Sequence, residues 1–148
     1  MGSVTSPLLL DTHCLLWWLA EPERLSSTAT EAIHRSTAEI FVSAATGWEI
    51  ATKKRLGKLD IPDDIVAELP AHLGEQGFTP LAVELHHALR AGGYSQSHGD
   101  PFDRMLAAQA EYGAAGSDAG GHHRLGAGRG EVRPHPRLQV QYLSLIHI

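Results

Sequence analysis

Cysteine is almost missing from this chain: Cys14 is the only one in 148 residues, so no disulfide can form within it. A lone thiol suits a reducing compartment, and the N-terminus has no basic stretch followed by an apolar one. The expectation is a cytoplasmic protein without an export signal. No apolar run approaches the roughly 20 residues that a membrane-spanning helix needs. Positive charge is also scarce, with 12 Lys and Arg against 17 Asp and Glu and a net charge of -5. That balance excludes a protein that grips nucleic acid through bulk positive charge. It leaves open a site built from acids, where bound cations would invert the local field. What is present in quantity is apolar residue: 43% hydrophobic content in a chain of this length supports one domain with a real core.

The stretch from His98 to Ala110, HGDPFDRMLAAQA, carries the densest signal. Pro101 suits a first helical turn, since its fixed φ fits and its missing N–H has no partner there anyway. Asp100 before it is a good N-cap, and Phe102, Met105, Leu106 and Gln109 recur on one mostly apolar face. Asp103 is then a second carboxylate in the first turn, near the positive end of the helix. Locally, a cap and a dipole partner account for both acids.

Earlier in the chain, Pro7 to Asp11 (PLLLD) reads as a strand buried on both faces, followed by the helical HCLLWWLA. Asp11 falls at the carboxyl end of that strand, the edge where open α/β sheets bind ligands. A plain N-cap role for Asp11 or Thr12 explains them equally well at this level. Thr28 to Glu31 has the form of a capping box for a second helix ending near Ser36. Ile40 to Ser43 predicts a second strand, and Ala44 to Arg55 a helix containing Glu49 and ending at Gly57. Lys53, Lys54, Arg55 and Lys58 form the densest basic patch, either a solvated helix end or a contact for nucleic acid phosphates. Another helix begins at Pro62 and is interrupted by Pro70, and Phe78 to Val83 predicts a third strand that Pro80 confines to an edge. Leu85 to Ala91 is a short helix stopped by Gly92 and Gly93. Trp17, Trp18 and Trp48 are expected in the core, and His13, His86, His87 and His98 at the surface. The alternation predicts an α/β domain with helices on both sides of a mostly parallel sheet.

In a parallel sheet, Asp11, Glu49 and Asp103 can reach the same carboxyl edge from three separate units. Three uncompensated carboxylates repel, and a divalent cation makes such a cluster tolerable. Oxygen donors without Cys or His partners favour Mg²⁺, or Mn²⁺, over zinc. That chemistry serves phosphodiester hydrolysis.

LLLDTHCLLWWL, VSAATGWEIATKKRLGKL and HGDPFDRMLAAQA, in that order, resemble the PIN domain, and within it the VapC-type toxins of bacterial toxin–antitoxin pairs. The similarity runs from about Leu8 to Ala110. The resemblance implies a three-layer α/β/α fold and a Mg²⁺-dependent ribonuclease, commonly dimeric and held inactive by an antitoxin. It also implies that Asp11, Glu49 and Asp103 are the metal-binding acids, with Thr12 and Ser43 supporting them through hydrogen bonds. Lys53, Lys54 and Arg55 are the candidate RNA contacts. The competing reading is a PIN-like module that binds RNA or an antitoxin without cleavage, and a deoxyribonuclease is the nearer enzymatic alternative.

After Ala110 the resemblance stops. The family pattern would continue into an apolar strand and a fourth acid, whereas residues 113–148 are rich in Gly, Arg and His without periodicity. The expectation is a domain over residues 1–112 and a disordered tail over 113–148, as a shift of reading frame near Tyr112 would produce. Its final residues, LSLIHI, resemble a translated sequencing adaptor. Asp118 lacks rigid surroundings for a fourth acid, and His122, His123 and His135 lack the spacing of a zinc site.

Overall fold

Three short apolar runs decide the centre of the molecule. In a computed structural model, which describes residues 7–95 and 100–112, they form β1 (Leu8–Leu10), β2 (Ile40–Ser43) and β3 (Phe78–Leu81). The strands are parallel, in the order β1-β2-β3, with Leu8 opposite Ile40 and Ile40 opposite Phe78. Every residue of β1 and β2 is buried, as continuous apolar runs in a parallel sheet require.

Because side chains alternate across a strand, the sheet divides its apolar residues between two faces. Leu8, Leu10, Ile40, Val42 and Phe78 join the larger core cluster. That cluster is completed by residues of α1 (Thr12–Ala20), α2 (Ser27–His34), α3 (Ala44–Arg55), α4 (Asp63–Ala67) and α5 (Leu69–Gln76). Leu9 and Phe41 instead meet Leu106 of α7 (Pro101–Tyr112), with Leu81 packed against them. The remaining helix, α6 (Leu85–Gly92), is tied to α7 by a two-pronged ion pair from Arg90 to Glu111, at 2.6 and 2.9 Å. The guanidinium holds the Glu111 carboxyl down at about 2. This is the three-layer α/β/α architecture that the sequence pattern predicts.

The boundaries differ in detail. Ser26, not Thr28, caps α2: its hydroxyl accepts from the Ala29 amide, and the helix ends at His34. Pro70 stands in the first turn of α5, where a missing N–H is tolerated, so the chain breaks just before it, at Glu68. Gly77 closes α5 at φ 73, the left-handed conformation that lets the chain reverse into β3. Pro80 lies in β3 at one edge of the described sheet, where it interrupts no ladder on the open side.

Two expectations about burial need correction. Trp48 is 66% exposed, because α3 turns Ala45, Thr46, Glu49 and Ile50 inward and leaves position 48 facing Phe102 of α7. Trp17 and Trp18 pack only partly buried against the larger cluster. His87 is buried, whereas the sequence suggests a surface position. Its Nδ1 accepts from the Glu84 amide and so caps α6, which requires the neutral ring. Burial first, then the neighbouring His86, lowers its pKa accordingly. His98, Asp118, the later histidines and the whole segment 113–148 lie outside the described residues. Among the described residues no helix is long and apolar enough to cross a membrane.

Leu10 has no exposed surface and belongs to the larger cluster. Leu10→Ala is expected to lower the unfolding free energy by about 2–5 kcal/mol, measured by urea denaturation.

Candidate active site

The turn after β1 is built by two side chains with different tasks. Asp11 caps α1: its Oδ1 accepts from the Cys14 amide at 2.7 Å. The cap and a role in a site are therefore compatible, since that bond uses one carboxylate oxygen. Thr12, buried in the first helical turn, reaches across to α3, where its hydroxyl donates to Oε1 of Glu49 at 2.6 Å. Cys14 beside them is inert as a nucleophile, its thiol pushed up to about 12 by burial and by Asp11.

The turn after β2 repeats the pattern. Ser43 caps α3, its hydroxyl accepting from the Ala45 amide at 3.0 Å. That fixes where α3 begins, and so where Thr46 and Glu49 point. Glu49 is only 3% exposed. Its Oε1 is held by Thr12 and its Oε2 by the Lys53 ammonium, one turn on along the same helix face. The Thr46 hydroxyl lies 3.4 Å from that of Thr12, which adds a residue that the sequence reading did not single out. Its spacing, three before Glu49 on one helix, was the available signal.

On α7, Asp100 accepts from the Phe102 amide at 2.9 Å, and Asp103 follows in the first turn. Gln109, fully buried, anchors this helix by donating to the Ala82 carbonyl just past β3. Arg104 ties it to the Tyr94 carbonyl. The start of α7 packs beside the start of α3, where Phe102 meets Trp48 with ring centroids 5.0 Å apart.

Asp11, Glu49 and Asp103 thus come from three elements into one electrostatic neighbourhood. The Asp103 carboxyl is raised by desolvation, then by the charges of Asp100, Glu49 and Asp11. Asp11 is raised mainly by burial, with a contribution from Glu49. In both, burial is the larger cause and the charge of neighbouring acids adds to it. The basic residues divide. Lys53 is bound to Glu49, and Lys54 pairs with Asp63 at 2.9 Å and with the Ile61 carbonyl. Arg55 is exposed on the same last turn of α3.

The sequence model of the PIN domain matches residues 8–116. The chain belongs to the PIN domain family. Within the family it resembles Ribonuclease VapC22 of Mycobacterium tuberculosis, with 34% identity over 106 residues, 70% of this chain and 78% of that protein. Ribonuclease VapC16 of the same organism is 35% identical over 75 residues, 46% of this chain and 53% of that protein. No solved structure gives a significant match.

For a PIN domain the donor chemistry is apt: Asp11, Glu49 and Asp103 offer only hard carboxylate oxygens, the set preferred by Mg²⁺ or Mn²⁺. Among the described residues, no group of three His, Cys, Asp or Glu side chains is already drawn together as metal ligands. The two oxygens of Glu49 are held by Thr12 and Lys53. A positive charge, that of Lys53, already stands where this PIN domain concentrates its acids, and its charged form is favoured by Glu49, Asp100 and Asp103.

A raised carboxyl pKa has a definite sign for stability. The folded chain holds the Asp11 proton more tightly than the unfolded chain does, so this contribution is full below the ordinary value of 3.8. It is lost as pH rises through the elevated value. Asp11→Asn keeps a capping oxygen and removes the charge. In EDTA its melting midpoint is expected a few degrees above that of the wild type at neutral pH, and level with it near about pH 3. A lower midpoint for the variant at neutral pH would contradict the electrostatic argument.

Proposed function

We propose that this protein is a metal-dependent endoribonuclease of the VapC type that hydrolyses RNA phosphodiester bonds and is restrained by an antitoxin. The observation that carries the reading is the PIN-domain match over residues 8–116, within which Asp11, Glu49 and Asp103 stand on three different elements. Both named relatives are called ribonucleases, which supports RNA as the substrate.

In this reading Asp11, Glu49 and Asp103 hold a divalent cation, Mg²⁺ with Mn²⁺ as a substitute. The cation, when bound, supplies Lewis acidity, making a water easier to deprotonate and offsetting charge on the phosphate. The chain's own residues do the rest. Thr12 fixes one oxygen of Glu49 by donating to it, so the carboxylate cannot rotate freely. The Cys14 amide does the same for Asp11. Ser43 sets the start of α3, and with it the reach of Glu49. Asp100 caps α7 and presents Asp103 from a rigid first turn. Hydrolysis adds water across the P–O bond: the water oxygen bonds to phosphorus, the bond to the leaving oxygen breaks, and that oxygen takes a proton.

Arg55 is the proposed contact for the RNA backbone, which such a charge positions without reading sequence. Lys53 and Lys54 beside it on the helix end are already paired with Glu49 and Asp63. The antitoxin partner, the homodimer and the cytoplasmic setting follow from the VapC type and belong to this proposal.

The test is cleavage of a labelled RNA with added Mg²⁺ by the wild type, Asp11→Asn and Asp103→Asn. Each variant is expected to lose at least roughly 100-fold in rate, and EDTA to abolish wild-type cleavage. Equal cleavage by all three proteins would remove the assignment. Metal-independent RNA binding by a wild type that never cleaves would replace it with a non-catalytic module.

A further inference from the structure

Glu49 presents an unusual case, a carboxyl group almost wholly removed from water and paired with an ammonium. Burying such a group is costly unless it is paired and hydrogen-bonded. Here the pairing comes from the same helix. Lys53 follows Glu49 by four residues on α3, the order in which a Glu–Lys pair on a helix is best aligned. Its ammonium bonds Oε2 and Thr12 bonds Oε1, so each carboxylate oxygen has a partner. The Lys53 side chain is itself one-third exposed, at 33%, so its head stands at the mouth of the site and not deep in the core. Asp100 and Asp103, from the start of α7, act on the same ammonium.

We infer that Lys53 is a built-in counter-ion, holding the place of the divalent cation in the metal-free protein and giving up Glu49 when that cation binds. This rests on the reading of Asp11, Glu49 and Asp103 as the metal-binding acids. A doubly charged ion on the same carboxylates weakens the hold of Glu49 on Lys53, because the two cations repel at close range. Lysine suits the role, as a compact charge on a flexible four-carbon stem that can leave without disturbing the backbone. The arrangement keeps the acids from forcing the site apart before metal arrives. It also lowers metal affinity, since each ion that binds must displace the ammonium.

The test uses Mn²⁺ as the probe and the full chain. Calorimetric titration is expected to show about tenfold tighter Mn²⁺ binding by Lys53→Gln than by the wild type, because the competitor is gone. In EDTA the same variant is expected to melt at a lower temperature, with the difference closing at saturating Mn²⁺. A second measurement needs no variant. The rate at which acetic anhydride acetylates Lys53, read by mass spectrometry against the exposed Lys58, is expected to rise several-fold when Mn²⁺ is added. Mn²⁺ binding that is equal or weaker in Lys53→Gln overturns this inference alone, as does an unchanged Lys53-to-Lys58 ratio. Absence of Mn²⁺ binding in both proteins overturns it together with the metal-site reading.

Discussion

The buried carboxylate of Glu49 is the constraint around which the site is arranged. A charge with 3% exposure needs partners, and they arrive from two directions: Thr12 from the turn after β1, Lys53 from the next turn of α3. The first of these bonds joins the first turn of α1 to the middle of α3. It therefore couples the position of α1 to that of α3, and it places the capped Asp11 beside Glu49. Satisfying one buried charge thus ties the turn that carries Asp11 to the helix that carries Glu49.

The sheet makes that possible. Parallel strands all deliver their chains to the same edge, so β1 and β2 end side by side and each is followed at once by a helix whose first residue is capped. On the opposite face from the larger core, α7 is seated by Leu106 against Leu9 and Phe41, and by Gln109 on the Ala82 carbonyl. Those contacts are ordinary packing, yet they set where Asp103 stands. The chemistry depends on residues that never touch a substrate.

The exposed pair of Trp48 and Phe102 follows from the same geometry. Once α3 commits Thr46, Glu49 and Ile50 to the interior, the residue a third of a turn away must face outward. Hydrophobicity alone placed Trp48 in the core, and the helix phase placed it on the surface. His87 shows the reverse, a polar ring drawn inside because its Nδ1 satisfies the Glu84 amide at the start of α6.

Read by itself, the sequence determined the order of strands and helices, the parallel sheet with its two covered faces, and the three acids of interest. Local rules suffice for these: apolar runs, periodicity, capping residues and the ordered PIN motifs act within a few neighbours. Tertiary structure alone decided how those acids are partnered. That Thr12 binds Glu49 and that Asp103 feels Asp11 depend on contacts between distant segments, whereas the Lys53–Glu49 pair is one turn of α3. Such contacts are fixed by packing and by the need to pair every buried charge, which no window of sequence contains.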